Sequence, residues 1–287
     1  MTVSGRAKIA GIVGWPVGHS LSPRLHAFWL REHGIDGAYV PLAVARESFA
    51  LALGGLRAAG FVGVNITNPH KEAAFALADH VDDAARMAGA ANLLVFRDGR
   101  SEARNTDIEG LAASLKESLG AEALRGQLVA ILGAGGAARG ALLALDSLGV
   151  AEIRVVARNG ARADALIAQL RSNAAARLVS ISWSDWPRAA EGIALVVNTT
   201  SGGMAGATAL DLSLDPLPAS AAVCDIVYNP LETALLKDAR VRGRRTIDGL
   251  GMLMHQAVPA FAAFYGMTPR VTPALRADLE KALRDGG

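Results

Sequence analysis

Five apolar residues, Leu128-Val129-Ala130-Ile131-Leu132, run directly into Gly133-Ala134-Gly135-Gly136-Ala137-Ala138. An apolar run this short, closed by glycine, reads as a buried strand. The glycine segment keeps the G-x-G-x-x-G/A spacing, in the strand–turn–helix context that gives the spacing meaning. Gly133 permits the tight turn, Gly135 lets a pyrophosphate approach the backbone, and Ala138 lets the helix pack closely on the strand. Ala134, Gly136 and Ala137 complete the turn and the first helical residues. The helix N-terminus there offers amide donors and a partial positive charge to a phosphate. A bare strand–helix turn would use the same glycines, so the end of the next strand has to discriminate.

That strand is Ile153 to Ala157, followed by Arg158-Asn159-Gly160-Ala161-Arg162. A site for NAD places an acid about 20 residues beyond the glycines to bond the ribose hydroxyls. No acid stands at this strand end. Arg158 offers a guanidinium that stacks on adenine and pairs with a 2′-phosphate, and Arg162 adds charge. The residues therefore favour NADP over NAD, the alternative being two solvated surface arginines.

The same alternation of apolar runs and amphipathic stretches fills the chain, which predicts an α/β protein with mainly parallel sheets. Lys8 to Val13 and Phe61 to Ile66 read as strands. Ser22-Pro23 reads as a helix start with serine as its cap, and Gly34 as its stop. Asp98-Gly99 between Asn92–Phe96 and Ser101–Arg104 reads as a hairpin turn. Asp107 to Leu119 reads as a helix opening a second unit. Its later strands are Ile193–Val197 and Ala222–Val227, and two helices follow Gly249. The 287 residues suffice for two domains. The split predicted is 1–106, completed by 249–287, and 107–248.

Composition removes whole classes of function. Hydrophobic residues make up 51% and charged residues 20%, enough apolar material to exclude disorder. With 29 basic against 27 acidic residues and 5% aromatics, neither the field nor the stacking surface for nucleic acid is present. No stretch reaches the ~18–20 apolar residues of a membrane helix. Residues 9–17 resemble a signal peptide, but Gly11, Gly14 and Pro16 interrupt them, and they read as a strand entering a loop. The single cysteine, Cys224, forms no internal disulfide, so a cytoplasmic setting is expected. It lies in an apolar run and reads as a core residue rather than a nucleophile. His19, His26 and His33 recur every seven residues without a partner ligand motif, so no metal is expected.

Three polar clusters interrupt the apolar background. Gly18-His19-Ser20-Leu21-Ser22-Pro23 puts two hydroxyls at a helix start, which suits either a bound carboxylate or a simple cap. Asn65-Ile66-Thr67-Asn68-Pro69-His70-Lys71 follows a strand and enters a helix. A cation in a first helical turn opposes the helix dipole, so Lys71 is either placed for a purpose or solvated on a helix face. Asn92 with Asn105-Thr106-Asp107 is the third, and Asp107 could be only a helix cap. Were Lys71 and Asp107 to meet, they would form a coupled acid/base pair.

These clusters, in this order, resemble the shikimate dehydrogenase family over nearly the whole chain. The shared stretches are Ser20–Pro23, Asn65–Lys71, Ala88–Asn92, Asn105–Asp107, Gly133–Ala137, Asn198–Ser201, Asp225–Pro230 and Gly249–Ala257. The resemblance implies reversible hydride transfer between shikimate and NADP⁺ in aromatic amino-acid biosynthesis. It implies a substrate domain, a Rossmann domain, and C-terminal helices returning to the substrate domain. Ser20, Ser22 and Tyr228 would hold the substrate carboxylate; Thr67, Asn92 and Gln256 its hydroxyls; Lys71 and Asp107 would be the catalytic pair. Thr199, Gly249 and Met252 would join the glycine turn and the arginines on the cofactor side. The implied partner is the small-molecule substrate alone, for a monomer or homodimer. The chain departs from the family pattern at Leu93 after Asn92, at Asn68 and His70 beside the lysine, and at Ala157-Arg158-Asn159. An NAD-dependent quinate/shikimate dehydrogenase is the nearest alternative. A non-catalytic dinucleotide-binding regulator is a further one, against which the presence of both Lys71 and Asp107 argues.

Overall fold

The computed structural model describes residues 3–204, 206–208 and 210–285. The chain forms two compact units: Met1–Asp107 with Met254–Lys281, and Ile108–Leu253 with Ala282–Gly287.

The first unit opens with β1 (Lys8–Gly14), α1 (Ser22–Glu32), β2 (Gly37–Ala43), α2 (Phe49–Ala58) and β3 (Gly63–Ile66). There follow α3 (Lys71–Leu77), β4 (His80–Val81), α4 (Asp83–Ala88), β5 (Leu93–Arg97) and β6 (Arg100–Arg104). Its sheet runs in the order β2-β1-β3-β5-β6-β4. The strands β2, β1 and β3 are parallel, whereas β5 runs antiparallel to both β3 and β6. Asp98 (φ 50°) and Gly99 (φ 70°) turn the β5–β6 hairpin in the left-handed region, as a two-residue Asp-Gly loop requires.

This topology positions the polar clusters. The register pairs Val13 with Ile66, Asn65 with Leu93, and Leu93 with Arg104. The ends of β1, β3 and β6 and the start of the antiparallel β5 therefore share one edge. Every polar cluster read from the first half of the sequence follows or precedes one of those four termini.

The second unit contains α5 (Asp107–Leu119, from its second residue), β7 (Leu128–Leu132), α6 (Gly136–Ser147), β8 (Glu152–Ala157) and α7 (Gly160–Leu170). It continues with β9 (Arg177–Ser182), α8 (Trp186–Ala189), β10 (Ile193–Asn198), β11 (Ala222–Asp225), α9 (Ala234–Val241) and β12 (Thr246–Ile247). The six strands are all parallel, in the order β12-β11-β10-β7-β8-β9. This is the doubly wound dinucleotide-binding order, whose chain reverses between β7 and β10. Its central strands are buried, with Leu132, Val156, Val196 and Val223 in one core cluster, as helices on both faces demand.

The helix α10 (Gly249–Tyr265) starts among second-unit residues, and its part from Met254 on is counted with the first unit; α11 (Pro273–Asp285) follows. Within the first unit Phe261 packs edge-on to Trp29, the Tyr265 hydroxyl donates to the Ala38 carbonyl at 2.9 Å, and Arg24 pairs with Asp278 at 2.7 Å. The C-terminal helices thus return to the N-terminal sheet.

Two local expectations are corrected. Ser22 is the first residue of α1, not its cap; Leu21 occupies the cap and no side chain caps the helix there. Instead the Ser22 amide donates to the Ser20 hydroxyl at 3.2 Å. The strand expected over Ala222–Val227 ends at Asp225, because Val227 turns to donate its amide back to that carboxylate.

Candidate active site

Lys71 is the first residue of α3, carried there by Thr67–His70 at the end of β3. His70 leaves solvent by stacking on Phe49 at 4.4 Å, and its Nε2 lies 2.7 Å from the Val44 carbonyl. This fixes the helix start. The Lys71 carbonyl accepts from the Ala91 amide at 2.9 Å, tying the helix to the segment entering β5. Asp107 is the first residue of α5, and its amide donates to Asn105 Oδ1 at 3.1 Å. Lys71 Nζ then meets Asp107 Oδ2 at 2.5 Å, with side chains 37% and 19% exposed. Two groups separated by 36 residues are brought together while still open to a ligand.

Asn92 organises the rest of this edge and is almost completely buried. Its Nδ2 donates to Asp107 Oδ1 at 2.8 Å and lies 2.9 Å from Thr106 Oγ1, while its Oδ1 accepts from the Thr106 amide at 2.8 Å. Gln256 Oε1 lies 3.4 Å from both Asn92 Nδ2 and Thr106 Oγ1. Behind it, Asn65 Nδ2 donates to the Asn92 carbonyl at 3.1 Å, and the Tyr39 hydroxyl donates to Asn65 Oδ1 at 2.8 Å. Burial pushes the Tyr39 phenol well up, and a hydrogen bond with Ser22 opposes that shift. A continuous hydrogen-bonded chain therefore runs from Ser22 through Tyr39, Asn65 and Asn92 to Asp107 and Lys71. Thr67 and Ser20, both half-buried, stand on the same edge at the ends of β3 and β1. All the expected substrate and catalytic residues except Tyr228 thus belong to the first unit; Tyr228 belongs to the second, half-buried in the loop after β11.

In the second unit a hollow of about 510 Å³ opens at the carboxyl ends of β7 and β8. Its walls include Gly133, Ala134 and Gly135 from the turn, Arg158 and Arg162, and Thr200, Ser201 and Gly202 after β10. Gly133 has φ +104°, open to glycine and strained for other residues. A Cβ there would also lie 3.1 Å from Thr199 Oγ1. Gly136 opens α6, Ala137 is exposed in its first turn, and Ala138 is fully buried against the sheet. Asn159 caps α7 by accepting from the Arg162 amide at 3.2 Å, leaving both arginines exposed at the hollow. The Arg158 guanidinium lies 5.2 Å over the ring of Trp183.

The other expected cofactor residues have structural partners. The Thr199 amide and hydroxyl both donate to the Leu132 carbonyl, at 3.0 and 2.7 Å, locking β10 to the end of β7 just before the glycine turn. Gly249 allows the start of α10 to touch the Ile226 backbone; a Cβ there would clash with the Ile226 carbonyl. Met252 is half-buried in the next turn of α10.

The residues fit a phosphorylated dinucleotide in three respects: an open glycine turn, a free helix N-terminus, and two arginines without an acid at the strand end. Sequence reasoning missed Trp183, Tyr39 and the roles of Thr106 and Asn65. An amide inside the buried strand Gly63–Ile66 was the available signal for Asn65. Trp183 carried none, because its partner Arg158 is distant in the chain. Among the described residues no three His, Cys, Asp or Glu side chains cluster to hold a metal ion. No helix among them is long and apolar enough to cross a membrane.

Residues 12–94 match the family model described as the shikimate dehydrogenase substrate binding domain. The shikimate dehydrogenase (NADP(+)) of Paramagnetospirillum magneticum is 49% identical over 276 residues, covering 96% of this chain and 99% of that protein. Among solved structures, shikimate 5-dehydrogenase from Thermus thermophilus, in complex with NADP(H) and shikimate, is 35% identical with TM-score 0.83 over 97% of this chain and 99% of its own. Quinate dehydrogenase from Corynebacterium glutamicum, in complex with NAD, is 29% identical with TM-score 0.87 over 97% and 99%. Near-complete coverage at almost half identity leaves one assignment: the chain belongs to the shikimate dehydrogenase family.

Proposed function

We propose that the protein is an NADP-dependent shikimate dehydrogenase, reversibly reducing 3-dehydroshikimate to shikimate in aromatic amino-acid biosynthesis. The observation that carries the reading is the Lys71–Asp107 pair at 2.5 Å, bound to Asn92 and still accessible. The first unit is the substrate unit and the second holds NADP⁺.

Oxidising a secondary alcohol requires loss of the hydroxyl proton as hydride leaves the carbon. When bound, NADP⁺ supplies the hydride acceptor. Lys71 and Asp107 act as one coupled unit that takes the hydroxyl proton in oxidation and returns it in reduction. Asn92 orients Asp107 and, with Thr67 and Gln256, holds the ring hydroxyls. Ser20 and Ser22, at the start of α1, receive the carboxylate, with Tyr228 assigned to the same group. Gly133 to Ala138 bind the pyrophosphate, and Arg158 and Arg162 the 2′-phosphate. Thr199, Gly249 and Met252 shape the cofactor site from behind. The protein works in the cytoplasm, as a monomer or homodimer.

The test is the initial rate of nicotinamide reduction with shikimate or quinate crossed with NADP⁺ or NAD⁺. Turnover confined to shikimate with NADP⁺ is the expected result. Comparable turnover of quinate, or with NAD⁺, would move the protein to a dual-substrate dehydrogenase. Binding of NADP⁺ without turnover in any combination would make it a regulator.

A further inference from the structure

We propose that Trp183 is a positioning residue for cofactor selection: its ring holds the Arg158 guanidinium in place to receive a ribose 2′-phosphate. The inference rests on reading the second-unit hollow as an NADP site and deepens it.

Arg158 stands exposed at the end of β8, where a free arginine would sample many rotamers. Its guanidinium is instead placed over the Trp183 ring, 5.2 Å from the centroid. The ring is itself anchored. Trp183 Nε1 donates to the Asp211 carbonyl at 2.9 Å, and the indole packs against the core cluster of the second unit. The turn that carries it, Trp183–Asp185, is capped by Ser182, whose Oγ accepts from the Asp185 amide at 3.2 Å. A fixed indole therefore presents a fixed face to a mobile cation, and both line the same hollow as Gly133 to Gly135.

A guanidinium stacked on one face keeps its other face for a base and its N–H edge for a phosphate. Ordering that side chain before the ligand arrives removes an entropic cost of binding. The benefit is largest for ligands that use the guanidinium edge as well as its face, which means those bearing a 2′-phosphate. Trp183 thereby contributes to selection of NADP over NAD without being a ligand of the phosphate.

The experiment is calorimetric titration of the wild type, Trp183→Leu and Trp183→Phe with 2′,5′-ADP and with 5′-AMP. Leucine is expected to weaken 2′,5′-ADP about two- to fivefold, the factor for an exposed cation–π pair, and to weaken 5′-AMP, which lacks the 2′-phosphate, distinctly less. Phenylalanine restores most of the loss, and Arg158→Ala makes Trp183→Leu silent in a double-mutant cycle. Equal weakening of both nucleotides by leucine would overturn the proposal, since it would mean support of the adenine pocket or of the fold. No effect on either would overturn it too. Equal affinity of the wild type for the two nucleotides would instead refute the NADP reading itself.

Discussion

His26 makes the stability of the first unit depend on pH in a way that can be calculated. It is 1% exposed, stacked on Tyr39 at 3.9 Å with an interplanar angle of 7°, and flanked by Trp29, Phe261 and Phe264. Its Nδ1 has no hydrogen-bond partner. Burial among apolar rings lowers its pKa from 6.5 to about 3, since a charged imidazole there would lose its hydration. The unfolded chain therefore binds a proton at higher pH than the native one. Stability from this group is complete above pH 6.5 and is lost progressively as pH falls toward 3. The slope approaches about 1.4 kcal/mol per pH unit, so the loss at pH 5 is about 2 kcal/mol. His26→Phe keeps an aromatic ring and removes the titration. Guanidinium unfolding at pH 7.5 and pH 5, followed by tryptophan fluorescence, measures the difference between the two proteins. The wild type should lose about 2 kcal/mol more than the variant over that interval. Equal losses would show that His26 is not held neutral by its surroundings, and the reasoning would fail.

Other expectations arise from buried groups of the second unit. Asp225 is fully buried and accepts from Asn198 Nδ2 at 2.9 Å, the Val227 amide at 3.1 Å and the Thr233 hydroxyl at 2.7 Å. Burial raises its pKa, so its charge costs stability as pH rises above the ordinary carboxylate range. Asp225→Asn, which keeps the shape and the shared acceptor, should stay within about 1 kcal/mol of wild type, while Asp225→Ala should cost about 3 kcal/mol by stranding three donors. Chemical denaturation of both variants decides it, and equal costs would contradict the assignment. Gly249→Ala should destabilise by about 1–3 kcal/mol through the clash with the Ile226 backbone, read as a lower melting temperature, and a melting temperature equal to wild type would contradict it. Cys224 is buried, and desolvation followed by the charges of Asp225 and Asp248 pushes its thiol up. The native protein should therefore resist aromatic disulfide reagents and release one equivalent only on denaturation; fast native reaction would contradict this.

The strands and turns legible in the sequence were those whose pattern is local. Leu128–Leu132 with its glycine turn, and Asp98-Gly99 between two apolar runs, specify their conformation within a few residues. The strand Gly37–Ala43 was hidden because Pro41 sits inside it, which only an edge strand tolerates, and β2 is the sheet edge. The helix Phe49–Ala58 was hidden by Gly54-Gly55, and only Phe49 of its residues is fully buried, so no apolar stripe marks it. The cap lies one position before Ser22, a difference the sequence hides because proline at either of the first two helical positions, where its missing amide costs nothing, gives the same signal. The separate parts of the candidate site were legible as polar residues in apolar surroundings. Their meeting was not, because it depends on β5 running antiparallel to β3 and β6, so that Asn92 and Asp107 come to the edge that holds Lys71. Trp183 shows the same limit: a ring serves Arg158 only after the parallel pairing of β8 with β9 has placed them together.

The central claim is that Lys71, paired with Asp107 in the first unit, moves the proton while the second unit alone holds the cofactor. It is tested most directly by Lys71→Ala, with steady-state turnover of shikimate and calorimetric binding of NADP⁺ measured on one preparation. The account predicts that kcat falls about 10²–10⁴-fold, the range for a lost acid/base group, while the Kd for NADP⁺ stays unchanged. Turnover within a few-fold of wild type would remove Lys71 from the mechanism, and a parallel loss of NADP⁺ binding would contradict the division of labour between the two units.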